Sequence, residues 1–282
     1  MNINKANPEW FKRSHSNPFN WVGSKHRYLI EFYSKLPNKE GLKVLDPFVG
    51  GGDLISKLPT CWDIHANDYM KEVVDLHKGV QSKIITADKV SAEYLKRGMS
   101  KGNREAYLSL REEYNENKDT FLLYLLMTNS FNNQLRFNNS GGFNMPFGKD
   151  RSSFSTNMKN KLINYSSSLE ERKVTFKNEN VFNLDFTEYD LLLLDPPYSN
   201  TCATYNENTG WNEGTDKALF SKIDDCGKDF IYFNQTWSKG VENKSLVSWM
   251  RKYSVTTLKE TSKGCNHHRK NGYTEEVLIT NL

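Results

Sequence analysis

The residues most able to do chemistry in this sequence are Asp195-Pro196-Pro197-Tyr198, which directly follow four leucines, Leu191 to Leu194. An amine conjugated to a flat ring is a weak nucleophile. If the Asp195 carboxylate and the Pro196 carbonyl accept its two hydrogens, its lone pair is freed, and the prolines leave no backbone donor to compete. The Tyr198 ring can then stack on the amine's ring and hold the nitrogen in line for attack. No strong general base is required, because the developing ammonium is acidic enough to lose its proton late. The same tetrapeptide could also do no more than end a strand and cap a turn. A paired-carboxylate hydrolase or a metal site is disfavoured. Asp185 and Asp195 fall at different expected strand ends, and no histidine has ligand spacing nearby.

The elements around the tetrapeptide must deliver it to a cleft. Leu191 to Leu194 reads as a parallel strand buried on both faces, and open α/β sheets bind ligands at the carboxyl ends of such strands. Upstream, His26 to Leu36 reads as a short helix and Lys43 to Asp46 as a strand. Pro47 to Gly52 reads as a glycine-rich turn, Leu54 to Leu58 as a helix stopped by Pro59, and Cys61 to Asp68 as a second strand ending in an acid. Strand, glycine turn, helix, strand, acid is the first half of a Rossmann-like unit. Residues 70–126 read as largely helical, and 129–155 as a polar, aromatic-rich loop whose length points to function. The α/β pattern resumes with a strand edge at 173–176 and 180–182. A helix is expected near 221–227, a strand at 230–233, a helix at 245–253, and strands at 254–258 and 276–279. The expected fold is therefore an α/β, Rossmann-like, seven-stranded sheet with an inserted, mainly helical region. Residues 1–69 and 171–282 form the catalytic domain and 70–170 the insertion.

The glycine turn Asp46-Pro47-Phe48-Val49-Gly50-Gly51-Gly52 contains neither GxGxxG nor GxxxxGK[ST], so no phosphate cradle is indicated. A carboxylate at its head repels phosphate and favours a cationic ligand. S-adenosylmethionine fits, with a sulfonium, an amino group and no phosphate, and Asp68 is placed to accept from its ribose diol. The turn could also be a plain tight connection. Asn20-Trp21-Val22-Gly23-Ser24-Lys25 could clamp a carboxylate through Lys25 and pack Trp21 on adenine, or be an ordinary loop.

At 282 residues with a formal charge of +4, the chain can build a sizeable core and is mildly basic, which is compatible with a polyanionic partner. Asparagine is abundant, in runs such as Asn132-Asn133 and Asn138-Asn139, and can meet bases and phosphates or reflect biased composition. The four cysteines form no CxxC pair, so a reduced intracellular protein without structural zinc is expected. The polar start is unlike a signal peptide, and no stretch has the length of a membrane helix.

With these motifs in order, the sequence resembles the Dam-type DNA adenine-N6 methyltransferases, nearest in pattern to the Dam enzymes of T-even phages. The stretches that carry the resemblance are NWVGSK (20–25), LDPFVGGG (45–52), AND (66–68), the RFN…GGFNMPFG loop (136–148), LDF (184–186), DPPY (195–198) and NGYTEEVLI (271–279). It implies methyl transfer from S-adenosylmethionine, leaving S-adenosylhomocysteine, to an adenine flipped out of duplex DNA, at GATC or a related site. It implies that Asp195, Pro196, Pro197 and Tyr198 are catalytic. Trp21, Gly23, Lys25, Asp46, Phe48, Gly50, Asp68, Asp185, Phe186 and Asp195 would hold the cofactor, with Asp185 and Phe186 flanking its adenine. Phe131 would intercalate beside the flipped base, Asn132 would contact the strand left behind, and Asn138 would support the loop. Arg136 would read a guanine, a pairing its fork of donors favours, unless it is a phosphate contact or loop salt bridge. Gln134 stands where relatives tend to carry an apolar side chain, and its amide suits adenine. Arg269 and Lys270 close a basic stretch around His267-His268 suited to a DNA backbone. No metal, membrane or obligatory protein partner is implied, and the protein would act as a monomer or weak dimer on DNA inside a bacterial or phage-infected cell. DNA cytosine-N4 methylation is the nearest rival, and a binding protein without activity the next.

Overall fold

The computed structural model describes residues 18–21, 23–200, 210–238, 240–261 and 273–282. Its sheet is built from β1 (Lys43–Asp46), β2 (Asp63–Asn67), β3 (Lys173–Lys177), β4 (Leu191–Leu194), β5 (Asp229–Ser238), β6 (Val241–Glu242), β7 (Ser254–Thr261) and β8 (Thr274–Thr280). The spatial order is β3-β2-β1-β4-β5-β8-β7, with the two-residue β6 attached to β5. Strands β1 to β5 run parallel along this path, whereas β8 is antiparallel to both β5 and β7. This is the mixed α/β sheet of a Rossmann-like, class I methyltransferase fold. Strand order reverses at β1, so a ligand crevice is expected where the carboxyl ends of β1 and β4 diverge.

The leucine run of β4 is fully buried, as a central parallel strand between two helical layers must be. Pairing Val44 with Leu191 sets Asp46 level with Leu193, so Asp195 projects just beyond the end of β1.

Several elements differ from their sequence reading. The expected helix at 54–58 is only a 3-10 turn, Ile55–Lys57, because Pro59 leaves no room for another turn. The 180–182 segment is likewise a 3-10 turn, Val181–Asn183, and not part of β3. The 221–227 segment is the end of a longer helix, Glu213–Cys226, started by the Asn212 side chain, which accepts from the backbone N–H groups of Gly214 and Thr215.

The intervening region contains α1 (Lys71–Gln81), α2 (Ala87–Lys96), α3 (Arg104–Asn117), α4 (Thr120–Asn129) and α5 (Thr156–Glu170). Helix α4 is buried on every side from Leu122 onward, which marks it as the centre of the helical layer. Helices α1 and α5 also pack on the sheet, so one hydrophobic core runs through both parts of the chain.

The join between these parts is a buried histidine. His77 of α1 stacks on Phe176 of β3, contacts the Gly50 carbonyl through Nε2 at 2.9 Å, and meets the Tyr165 hydroxyl of α5 through Nδ1 at 2.6 Å. Burial lowers its pKa to about 4, so the ring is neutral at pH 7. Gly52 passes directly beneath this contact at φ +80°. A Cβ there would lie 2.7 Å from the Tyr165 hydroxyl and 2.8 Å from His77 Cε1. Gly52→Ala should therefore destabilise the protein by roughly 2–4 kcal/mol through overpacking and left-handed strain. Urea unfolding measures this, and a wild-type midpoint would contradict the packing described.

Candidate active site

The glycine turn after β1 is shaped by what must approach it. Gly50 has φ +45°, and an added Cβ would sit 2.8 Å from Trp21 Cδ1, so the missing side chain lets the indole lie against the backbone. The Phe48 N–H donates to Asp46 Oδ1 at 3.1 Å. The N–H groups of Gly50 and Met70 donate to the two oxygens of Asp68, at 3.0 and 2.9 Å. Each Asp68 oxygen keeps lone-pair capacity for an outside donor.

These residues line one large cleft at the carboxyl ends of β1, β2 and β4. Of the residues expected to bind cofactor or act in catalysis, it brings together Trp21, Gly23, Lys25, Asp46, Phe48, Gly50, Asp68, Asp195, Pro196, Pro197 and Tyr198. Lys25 is 4% exposed. Its ammonium lies 2.7 Å from Asp195 Oδ2 and donates to the Gly23 carbonyl at 2.7 Å. It also sits over the Tyr198 and Phe233 rings, 5.3 and 5.8 Å from their centroids. Tyr198 donates its hydroxyl to Asp195 Oδ1 at 3.3 Å.

Burial raises the pKa of Asp195, opposed first by the Lys25 charge and hydrogen bond. Burial raises Asp46 well above the carboxylate range, and the charges of Asp195 and Asp68 push it the same way. Burial also raises Asp68, to about 6, against the N–H groups of Met70, Gly50 and Tyr69. The charges of Asp195 and Asp68 thus bear on buried Asp46 in a poorly solvated cleft holding one buried ammonium. A cationic ligand relieves that repulsion, which is the fit expected for the sulfonium and amino group of S-adenosylmethionine.

Asp185 and Phe186 are not brought to this cleft. The Asp185 carboxylate is on the surface, accepting from the Thr187 N–H and hydroxyl at 2.9 and 2.6 Å, and Phe186 is buried in the core on the other side of the sheet. The cleft wall there is instead Glu179 to Phe182 together with Tyr69. The cause is a polar splice that the sequence pattern did not disclose. Buried Asn67 donates to the Pro47 and Glu179 carbonyls and accepts the Glu179 N–H, and Asn178 donates to the Asp68 and Tyr69 carbonyls. These bonds draw the chain after β3 into the cleft at 179–182, and it has turned away by 185.

Trp211 is a second wall residue that sequence reasoning missed. Its ring meets Phe48 edge-on at 5.5 Å, and its indole N–H donates to Asp216 at 2.8 Å. Asp216 is fully buried and also accepts from the Ser199 hydroxyl and the Asn243 amide, tying the turn after Tyr198 to the same helix. A carboxylate four residues into a helix led by Asn212 was the available sequence signal.

The 129–155 segment is ordered by its own pairings. Ser130 bridges Phe147, and Phe137 bridges Phe143. Asn138 Oδ1 accepts from the Ser140 and Gly142 N–H groups, and Asn115 of α3 pins the Phe143 backbone from both sides. Phe131 is 42% exposed, and Asn132 has φ +55°. Gln134 is partly buried, with its carbonyl accepting from the Ser130 hydroxyl. Arg136 is exposed, its guanidinium donating to the Asn144 side chain and carbonyl at 2.8 and 2.7 Å. Phe131, Asn132, Arg136 and Asn138 thus share one exposed, structured loop. Arg269 and Lys270 lie outside the described residues. Among the described residues no three His, Cys, Asp or Glu side chains converge to hold a metal ion, and no helix is long and apolar enough to cross a membrane.

Comparison with known sequences decides the family. The profile described as "D12 class N6 adenine-specific DNA methyltransferase" matches residues 21–263. The chain belongs to that family. This D12-class chain is 34% identical over 94% of its length to the type II methyltransferase M.FokI of Planomicrobium okeanokoites, covering 42% of that protein. It is 32% identical over 99% of its length to the modification methylase StsI of Streptococcus sanguinis, covering 45% of it. A DNA adenine methylase of Salmonella typhi is 31% identical over 46% of the chain. The D12-class chain therefore spans less than half the length of the first two relatives. S-adenosylmethionine is the cofactor of this class, and its donor set is matched by the cleft described.

With Asp68 as the ribose acceptor, its raised pKa should make cofactor affinity depend on pH. Ribose hydroxyls would donate to its ionised form, so binding requires deprotonation of a carboxyl that titrates near 6 in the free protein. Affinity for S-adenosylhomocysteine should be flat above pH 7 and fall, by up to tenfold per pH unit, below about 6. Asp68→Asn should weaken binding at pH 7.5 and flatten that limb. Calorimetric titration from pH 5 to 8 measures both, and an unchanged limb in the variant would remove the ribose role from Asp68.

Proposed function

We propose that this chain transfers a methyl group from S-adenosylmethionine to N6 of an adenine flipped out of duplex DNA, at GATC or a related site. The observation that carries the reading is the cluster of Lys25, Asp195 and Tyr198 at the mouth of the glycine-loop cleft. Bound S-adenosylmethionine supplies the electrophilic methyl. Asp195 and the Pro196 carbonyl would accept the two N6 hydrogens, leaving the nitrogen's lone pair directed at the cofactor. Lys25 favours the ionised, purely accepting form of Asp195, opposing the burial that raises its pKa. Tyr198, held by its bond to Asp195, would stack on the base, so that orientation supplies much of the rate. The amine lies inside a base pair in duplex DNA, so the base must leave the stack to reach this cluster.

The insertion at 70–170 would read the target. Arg136 would contact guanine, Phe131 would fill the gap left by the flipped base, and Asn132 and Gln134 would meet neighbouring bases. Support for GATC comes from the motif resemblance to the T-even phage Dam enzymes, above all the loop around Arg136. Gln134 keeps the outer bases open to a related sequence. The protein would work as a monomer or weak dimer on DNA, within a bacterial or phage-infected cell.

Asp195→Ala should reduce turnover on duplex DNA by several orders of magnitude while DNA affinity stays within a few-fold. Unchanged turnover would remove Asp195 from the chemistry. Arg136→Ala should relax discrimination at one guanine, by about 1–3 kcal/mol if its contact is bidentate. Sequencing of methylated sites reads this, whereas equal weakening on every sequence would mark a phosphate contact.

A further inference from the structure

A second cleft opens on the other side of Trp21 from the carboxylate cleft, and the two share Trp21, Ser24 and Asp53 as a common wall. Its lining is of opposite character. Lys101, Arg151 and Lys161 line it together with Ser153, Ser155 and Asn133. Its one acid among the described residues is Asp53, which accepts from the Ser24 hydroxyl on the shared wall. Among the described residues none of the three cations is in an ion pair.

The walls are fixed by backbone bonds and are not a chance gathering of surface side chains. The Asp150 N–H donates to the Lys101 carbonyl at 3.0 Å, which ties the Lys101 and Arg151 segments together. Gly148 anchors this turn below, where a Cβ would lie 2.6 Å from the Ser130 carbonyl. Asn20 donates to the Asn132 carbonyl, and Asn133 to the Thr128 carbonyl, joining the rim of the cleft to the turn that carries Phe131.

We propose that this cleft holds a backbone phosphate of duplex DNA, between the base-reading loop and the methyl-transfer cleft. The inference rests on the reading of the protein as a DNA methyltransferase. Three positive charges and three neutral polar side chains suit a phosphodiester. The cofactor is a poor occupant, since it carries no phosphate and its cationic groups are drawn to the carboxylates across Trp21. The location argues for a positioning contact. A phosphate fixed beside Asn133 sets the backbone next to Phe131 while the adjoining cleft receives the base. Such contacts fix register without reading sequence.

The test is duplex-DNA affinity against NaCl concentration, by fluorescence anisotropy, for wild type, Lys101→Gln, Arg151→Gln, Lys161→Gln and the triple variant. The triple substitution should weaken binding at least tenfold at 0.1 M salt and lower the slope of log K against log salt by about 0.9, the value for one phosphate, with each single substitution giving part of that loss, alike for duplexes with and without a target site. S-adenosylhomocysteine affinity and the unfolding midpoint should stay at wild-type values, which separates the effect from misfolding. A triple variant with wild-type affinity and slope would overturn the proposal, as would a loss confined to one DNA sequence. Saturable binding of inorganic phosphate by wild type, absent in the triple variant, would mark a free-phosphate site and overturn the assignment to DNA. Wild-type protein that binds no duplex DNA would take down the methyltransferase reading and this inference together.

Discussion

Three carboxylates, Asp46, Asp68 and Asp195, are delivered by β1, β2 and β4 to one poorly solvated cleft, and much of the surrounding structure answers to that constraint. Burial disfavours all three charges, and those of Asp195 and Asp68 further disfavour that of Asp46. Backbone N–H groups of the glycine turn serve Asp46 and Asp68, and buried Lys25 serves Asp195. What remains unbalanced is negative, so the cleft favours a cation. The turn must bend sharply to aim those N–H groups inward. Trp21 must pass close to Gly50, and His77 must secure the Gly50 carbonyl from behind.

The same arrangement divides the ligands by charge. The carboxylate cleft disfavours an anion and the basic cleft beyond Trp21 favours one, so a cationic and an anionic ligand could be held on either side of Trp21 without competing. The helical insertion is not hung on a flexible linker. Its first and last helices share the sheet's core, and His77 and Tyr165 connect it to the glycine turn. Its 129–155 loop is braced in turn by Asn115 and Asn138.

Much of this was legible in the sequence because it was written locally. Four leucines followed by Asp-Pro-Pro-Tyr give a buried strand whose end enters the cleft, and an acid before the glycines gives a turn without a phosphate cradle. The misreadings were long-range. Nothing near Asp185 indicates that Asn67 and Asn178, more than a hundred residues apart in sequence, splice the chain so that 179–182 enter the cleft. Trp211 was overlooked because its role depends on Asp216 and Phe48, which meet only in the fold. The polar run Asn234-Gln235-Thr236 concealed the length of β5, whose hydrogen bonds to β8 hold it in the sheet. Each case is a contact overriding local propensity.

In the proposed function, the Asp195 cluster directs an adenine amine at the cofactor's methyl group. Nucleoside analysis of duplex DNA after incubation with the purified protein and S-adenosylmethionine labelled on its methyl tests this most directly. Label is expected in N6-methyladenine, and none when Asp195 is replaced by Ala. Label in N4-methylcytosine alone, or an Asp195→Ala variant that still methylates adenine, would contradict it.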